Sequence, residues 1–419
     1  MRRFARLISP ALALLLAACA GTPQRPVSSA AHGAHAPLLL ISIDAFRPDY
    51  LDRGKTPTLN AMAASGVRAK AMQPSFPSLT FPNHYTLVTG LYPDHHGIVN
   101  NNMYDPALGK FSLGNRKAVG NGQWWAGGEP IWVTADKHGL QTATMFWPGS
   151  GTVIHGYRPD HFRAYDGKWT PDQRVDQVLK WLSLPAAKRP DFLTLYFDRV
   201  DHAGHTYGPD SPQVNHALKY VDDGIARLVA GLKARGLYQH MNIIVVSDHG
   251  MASTPRKNIT VIDKLINLKH VRVVSLGVVA GFIPKSGYTQ EVEKALLGHH
   301  DHMTCWRKQN IPARYHYGGN PRVPAITCAA DLHWQIMSQA NVTKYKGKTM
   351  LGDHGYDNAA PQMRALFIAH GPAFRQGAVI GEFPNVDVYP LMTHLLGLPA
   401  QTNDGHFSQI KDALKASQH

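Results

Sequence analysis

The sequence predicts an α/β fold with a largely parallel central sheet, and three observations carry that reading. Short runs that are apolar almost throughout recur at residues 37–43, 191–197 and 241–247. Such runs fit strands buried on both faces. Helical periods stand between them, as crossovers between parallel strands require. Each run also stops at an acidic residue: Asp44, then Asp198 and Asp201, then Asp248.

The N-terminus reads as a segment outside this fold. A basic stretch with Arg2, Arg3 and Arg6 precedes an apolar run too short to span a bilayer comfortably. The run ends in Leu16-Ala17-Ala18-Cys19, which resembles the lipobox of bacterial lipoproteins. Residues 1–18 are thus expected to be a signal peptide and Cys19 the lipidated residue. Ala20 stands where an inner-membrane retention signal usually places Asp, so an exported, periplasmic protein anchored to the outer membrane is expected. An ordinary cleaved signal with an incidental Cys19 is the alternative. Residues 19–36 then form the lipidated start and a flexible tether, rich in Gly, Pro, Ser and Ala.

The main domain is expected over residues 37–405. Thr80 stands in front of a helix-like run, either as a cap or as a reactive group. Residues 98–170 are rich in Gly, Asn and Trp and show no clean period. Residues 171–184 predict a helix. So do Val214, Leu218, Val221, Ile225, Leu228 and Leu232, spaced by three and four. Residues 260–350 hold short β-like runs such as 271–279, read as a smaller α+β subdomain inserted into the main one. Residues 364–369 predict a fourth strand, and 406–419 a C-terminal tail.

The chain has three cysteines, Cys19, Cys305 and Cys328. With Cys19 given to lipid, Cys305 and Cys328 are expected to pair in an oxidising compartment, two buried thiols being the other reading. Apolar content of 44% and charged content of 17% fit a globular protein with a large core. The formal net charge of +14 favours anionic partners. No dense Lys/Arg block points to a specific nucleic-acid partner.

The strand ends carry the chemical signal, because ligands of open α/β sheets bind beyond the carboxyl ends of the strands. Asp44, Asp201 and Asp248 stand there, with His205 four residues after Asp201 and His249 directly after Asp248. His354 follows in the run GDHGYDN, residues 352–358. Asp and neutral His are ligands for zinc. A single Asp–His pair is more often a hydrogen-bonded pair or a cap. Three strands ending alike favour metal. His95, His96, His202, His299, His300 and His302 are read as surface or supporting residues.

The run LTFPNHYTLVTGLYP, residues 79–93, resembles the nucleophile segment of the nucleotide pyrophosphatase/phosphodiesterases, the type I phosphodiesterases of the alkaline phosphatase superfamily. DHAGHTYGP at 201–209, SDHGM at 247–251, GYDN at 355–358, FPNVDVY at 383–389 and LLGL at 395–398 match further motifs in order. The resemblance implies an alkaline phosphatase-like fold and two zinc ions. Asp44, Thr80, Asp248 and His249 would hold one ion. Asp201, His205 and His354 would hold the other. Asn101 matches the residue whose amide meets a phosphate oxygen, with Asn100 and Asn102 beside it as turn residues. Two departures stand out. Asp198-Arg199-Val200 replaces the acid and proline often found before the second aspartate, and Asp353 adds a carboxylate before His354.

The implied reaction is hydrolysis of nucleotide phosphodiester and phosphoanhydride bonds, through a phospho-threonine at Thr80, to nucleoside 5′-monophosphates. Two metals about 4 Å apart can hold both oxygens of an in-line displacement. Thr80 is then expected to be both helix cap and nucleophile, positioned by Asn83, His84, Tyr85 and Thr86. Phe81 and Tyr165 are candidates for stacking on a base, or are core residues. A relative acting on monoesters, phosphonates or lipid headgroups remains a rival, as does a lipoprotein that binds metal or nucleotide without turnover.

Overall fold

Eight strands form the central sheet in the computed structural model, which describes residues 35–345 and 350–416. The signal-like segment, Cys19 and the tether up to residue 34 lie outside the described residues. In chain order the strands are β1 (Leu38–Ile43), β2 (Val67–Ala69), β3 (Thr142–Met145), β4 (His161–Arg163), β5 (Phe192–Phe197), β6 (Asn242–Val246), β7 (Phe367–His370) and β8 (Ala378–Ile380). Their order across the sheet is β8-β2-β7-β6-β1-β5-β3-β4. All pairings are parallel except those of β7, which runs against both β2 and β6.

The apolar run at 364–369 is therefore a strand, but a reversed one. The chain leaves β6 at the sheet's C-terminal edge and is still there when it returns, since Ala252–Ser253 pairs with Gly352–Asp353. It enters β7 from that edge, and a strand entered that way needs no crossover helix.

β1 is buried along its whole length, and alternation explains why. Leu38 and Leu40 join the core on one face, while Leu39, Ile41 and Ile43 join the core on the other. The first face is covered in part by α1 (Thr80–Thr89). The second packs against α2 (Pro171–Leu182) and α4 (Pro212–Ala234), with α3 (Arg199–Tyr207) beside α4. α2 starts at a capping box in which Thr170 and Gln173 satisfy each other's backbone N–H groups. α4 starts at Ser211, whose hydroxyl accepts from the Val214 N–H, with Pro212 in the first turn. All six residues of the predicted apolar period in α4 are buried.

A second, five-stranded antiparallel sheet has the order Val271–Ser275, Val279–Pro284, Ile326–Ala330, Met303–Arg307, Gly298–His300. The run at 271–279 is the end of one strand and the start of the next, not a single strand. Gly277, at φ +109°, makes the reversal that a side chain would resist. Cys305 and Cys328 face each other across paired strands of this sheet and form a disulfide.

The segment beyond Gly405 is packed down as far as it is described. Ile410 and Ala413 are buried, and Lys415 N–H donates to Ala373 O at 3.0 Å.

Candidate active site

β1, β5 and β6 end at one edge of the sheet, and the residues that follow them converge. Asp44 follows β1 and is fixed from two sides. Its N–H donates to Phe197 O at 2.9 Å, and its Oδ2 accepts the Tyr196 hydroxyl at 2.5 Å. That leaves Oδ1 facing His249 Nε2, 3.4 Å away. Asp248 follows β6. Its Oδ1 accepts from the Ala45 N–H at 3.3 Å, and its Oδ2 lies 3.0 Å from His249 Nε2. His249 Nδ1 meets Gly250 O at 2.9 Å, which turns Nε2 inward.

α3 begins two residues after β5. Asp201 and His205 share a face of it four residues apart, with Asp201 Oδ1 3.3 Å from His205 Nε2. His354 arrives on the returning chain. Its Nε2 is 3.1 Å from His205 Nε2 and 3.5 Å from Asp201 Oδ1. Backbone carbonyls aim both rings: His205 Nδ1 meets Gly352 O at 2.8 Å, and His354 Nδ1 meets Ser78 O at 2.9 Å. The rings of His249 and His354 stack with centroids 3.6 Å apart, so the two groups of donors touch.

Thr80 Oγ1 lies 3.2 Å from His249 Nε2, at this junction. The cap expectation for Thr80 needs correction. Leu79 is the N-cap of α1, without a side-chain bond, and Thr80 is the first helical residue. Its hydroxyl therefore points to the histidine and not back to the helix N–H groups. Asn83 anchors the preceding loop, accepting from Ser75 N–H and donating to Pro77 and Leu79 carbonyls. His84 links Thr80 O at 2.8 Å and Ser42 Oγ at 2.8 Å, and its Nδ1 stands 3.3 Å from Asp248 Oδ2.

The electrostatics fit a cation-binding site. Burial, reinforced by the carboxylates of Asp248 and Asp201, pushes the Asp44 carboxyl well above its usual range. Burial acts the same way on Asp248, but His249 and His84 outweigh it and hold that carboxyl well below. Asp201 and His205 overcome burial as an ion pair, Asp201 falling to about 2 and His205 rising to about 10. Burial and the neighbouring His249 push His354 down to about 3. Asp44 Oδ1, Asp201 Oδ1 and Asp248 Oδ2 are buried without a hydrogen-bond donor. Such atoms are costly unless paired, and buried charges are paired or coordinate metals. Asp201–His205–His354 and Asp44–Asp201–His249 form groups that could hold a metal ion. Asp201 thus reaches into both groups, where the sequence assigned it to one.

Asn101 Oδ1 accepts from the Phe81 N–H at 2.9 Å, which puts its amide beside the start of α1. Asn100 behaves as the turn residue expected, its Oδ1 accepting from Asn102 N–H. Phe81 is half-buried against Phe111 and Trp125. Tyr165 is 53% exposed, and its hydroxyl donates to Asp198 Oδ2 at 2.5 Å. Asp353 lies behind His205, its Oδ1 4.0 Å from Nδ1, with Oδ2 accepting from Gln335 Nε2. Its carboxylate is not among the converging donors. His96, read from sequence as surface or supporting, is fully buried and bonds Thr86 Oγ1 at 3.0 Å.

Two contributors escaped the sequence reading. Tyr196 was hidden inside the apolar run of β5, though its register opposite Ser42 put it at the strand end. Arg174 is 1% exposed, donates to Tyr196 O and pairs with Asp198 at 3.1 Å.

Comparison with known proteins agrees with this architecture. A family model described as type I phosphodiesterase / nucleotide pyrophosphatase matches residues 38–357. An uncharacterized pyrophosphatase/phosphodiesterase of Schizosaccharomyces pombe is 39% identical over 381 residues, covering 88% of this chain and 79% of that protein. Ectonucleotide pyrophosphatase/phosphodiesterase family member 1 of Rattus norvegicus is 40% identical over 387 residues. That match covers 89% of this chain but 42% of the rat protein, so the chain spans under half of that relative. Murine ectonucleotide pyrophosphatase/phosphodiesterase 5, solved as an inactive threonine-to-alanine variant in complex with AMP, superposes with a TM-score of 0.86. It is 34% identical, with 91% of this chain and 100% of that one covered. A match over most of the chain, with relatives at 39% and 40% identity, means that the chain belongs to the type I phosphodiesterase/nucleotide pyrophosphatase family of the alkaline phosphatase superfamily.

Proposed function

We propose that this chain is a two-zinc hydrolase that cleaves phosphodiester and phosphoanhydride bonds of nucleotides and releases nucleoside 5′-monophosphates. The observation that carries the reading is the position of Thr80 Oγ1, 3.2 Å from His249 Nε2 and next to both groups of donors. Asp44, Thr80, Asp248 and His249 would hold one ion, and Asp201, His205 and His354 the other. Bound there, divalent ions supply Lewis acidity that favours the Thr80 alkoxide and stabilises the leaving oxygen.

Thr80 Oγ1 attacks phosphorus, and the bond to the leaving oxygen breaks on the side of Asp201, His205 and His354. Water then cleaves the phospho-threonine and restores the hydroxyl. Asn101 and the N–H groups at the start of α1 are suited to meet phosphoryl oxygens. Tyr165 and Phe81 would supply faces for a base, stacking being worth about 1–3 kcal/mol per base. The AMP complex of the murine neighbour supports a nucleoside monophosphate product.

The same reading takes residues 37–405 as one catalytic domain with the second sheet as its inserted part. It takes the chain as an exported lipoprotein anchored in the outer membrane through Cys19. The relatives named as ectonucleotide enzymes support export. No helix among the described residues is long and apolar enough to cross a membrane.

The deciding experiment compares kcat/KM for a chromogenic thymidine 5′-monophosphate ester with that for the matching aryl monophosphate. The ester is expected to be preferred, because a second substituent can be bound by packing. A monoester adds a charge that needs further cationic partners. A clear preference for the monophosphate would overturn the diesterase reading.

A further inference from the structure

The edge of the sheet opposite the catalytic one is a cationic face. The segments at that edge include the turn before β5, the end of α4 before β6, the loop after the reversed β7, and the packed segment beyond Gly405. They place Lys188, Lys233, Arg235, Arg375, Lys411 and Lys415 in solvent. The last segment sits directly on the loop after β7, where Arg375 N–H donates to Ala413 O at 3.0 Å. Among residues 185–191, 233–241, 371–377 and 411–416 the acids are Asp191, whose Oδ2 accepts from the Gln141 N–H, and Asp412.

The distribution within α4 is informative. Midway along the helix the cations are neutralised, Lys219 by Asp223 and Arg227 by Asp176, each at 2.7 Å. At its C-terminal end Lys233 and Arg235 make no ion pair among the described residues, and neither do the other four cations. A groove of about 960 Å³ opens on the same face. Phe407 and Leu414 give it apolar walls, and Arg375, Lys411 and Lys415 line it with positive charge against the one carboxylate of Asp412.

The first described residues, 35–37, lie at this edge. Pro37 O accepts from the Asn242 N–H at the start of β6, and His35 lies against Gly397. Asp44, Asp201 and Asp248 follow the other ends of the same strands. A six-residue strand such as β1 separates the two edges by about 20 Å.

We propose that this face docks on an anionic lipid headgroup surface and holds the catalytic edge turned away from the membrane. Each Lys or Arg close to an anionic bilayer strengthens partitioning about fivefold, an effect screened by salt. The inference goes beyond the catalytic reading. It needs the export reading only for access to a membrane, and it does not require Cys19 to carry lipid.

The test uses the chain from residue 19 onward with Cys19→Ser, so that no lipid is attached. Co-sedimentation is measured with vesicles of phosphatidylcholine alone and of phosphatidylcholine mixed with phosphatidylglycerol. Binding to the mixed vesicles alone, released at about 0.5 M salt, is expected. Lys188→Glu, Lys233→Glu and Lys411→Glu combined should weaken it at least tenfold and leave hydrolysis of a soluble substrate unchanged. Lys264→Glu, Lys269→Glu and Lys285→Glu, the same charge change on the insert, should retain the binding. Equal weakening by both sets would mean net charge and not a docking face, and would overturn the proposal. So would salt-resistant binding, equal binding to neutral vesicles, or duplex DNA held while mixed vesicles are ignored. Should the first variant fail to fold, the salt and lipid dependence of the parent chain decides. Vesicle binding without any hydrolysis would sink the catalytic reading and leave this one standing.

Discussion

The two groups of donors at the catalytic edge are built from different materials. Asp44, Asp248 and His249 follow strand ends, and their side chains are 2%, 0% and 0% exposed. Each is held by a partner that leaves one ligand atom free: Tyr196 on Asp44, the Ala45 N–H on Asp248, Gly250 O on His249. Asp201 and His205 ride on a helix, at 20% and 19% exposure, and His354 comes from a segment that returns after the insert. The first group is preformed by the sheet. The second is assembled from two pieces of chain and opens to solvent, which suits the side from which a leaving group departs.

Thr80 belongs to the preformed side, so the largest effect is expected there. Thr80→Ala should lower kcat/KM on the thymidine ester about a thousandfold or more, while Thr80→Ser keeps a measurable share, because the hydroxyl is the required atom. Metal content should stay near that of the parent chain. Near-normal turnover by Thr80→Ala would remove the nucleophile from the account.

Tyr196→Phe probes the same side more gently. The lost hydroxyl frees Asp44 Oδ2 and loosens the carboxylate. Metal affinity should fall about 10–100-fold, as for other partners that orient ligands. Gln335→Ala acts on the open side only through Asp353 and should cost less. Competition with a chromophoric chelator reads both. Equal losses would mean that the two groups are not built differently.

Tyr165→Ala should give the smallest effect, a rise in KM of several-fold for nucleotide esters with little change for small aryl diesters. Tyr165 is half exposed and is held by Asp198. Steady-state kinetics on the two substrate classes separates these outcomes, and an equal rise in both would remove the base-stacking role.

How much of this was legible in the sequence follows the same division. β1, β5 and β6 stood out because both faces of each are covered, so their runs are apolar throughout. β3 sits equally deep, but its run Thr142-Ala143-Thr144-Met145 is short and half threonine, and it was lost in a stretch without period. The reversal of β7 could not be read, because direction depends on which edge the chain returns to. The converging donors followed from strand ends and motif order. What holds them did not: Tyr196 reaches Asp44 from the neighbouring strand, and Arg174 reaches Asp198 from α2, contacts that no local spacing encodes. The cap role given to Thr80 failed by one residue, because a hydroxyl before an apolar run looks the same at the N-cap and at the first helical position.

The most direct measurement of the central claim is metal content in two purified chains, the parent and His205→Ala combined with His354→Ala. The account predicts about two equivalents of zinc in the parent. It predicts about one in the variant, with the remaining ion held by Asp44, Thr80, Asp248 and His249. An active parent without metal, or a variant that keeps both ions, would contradict it.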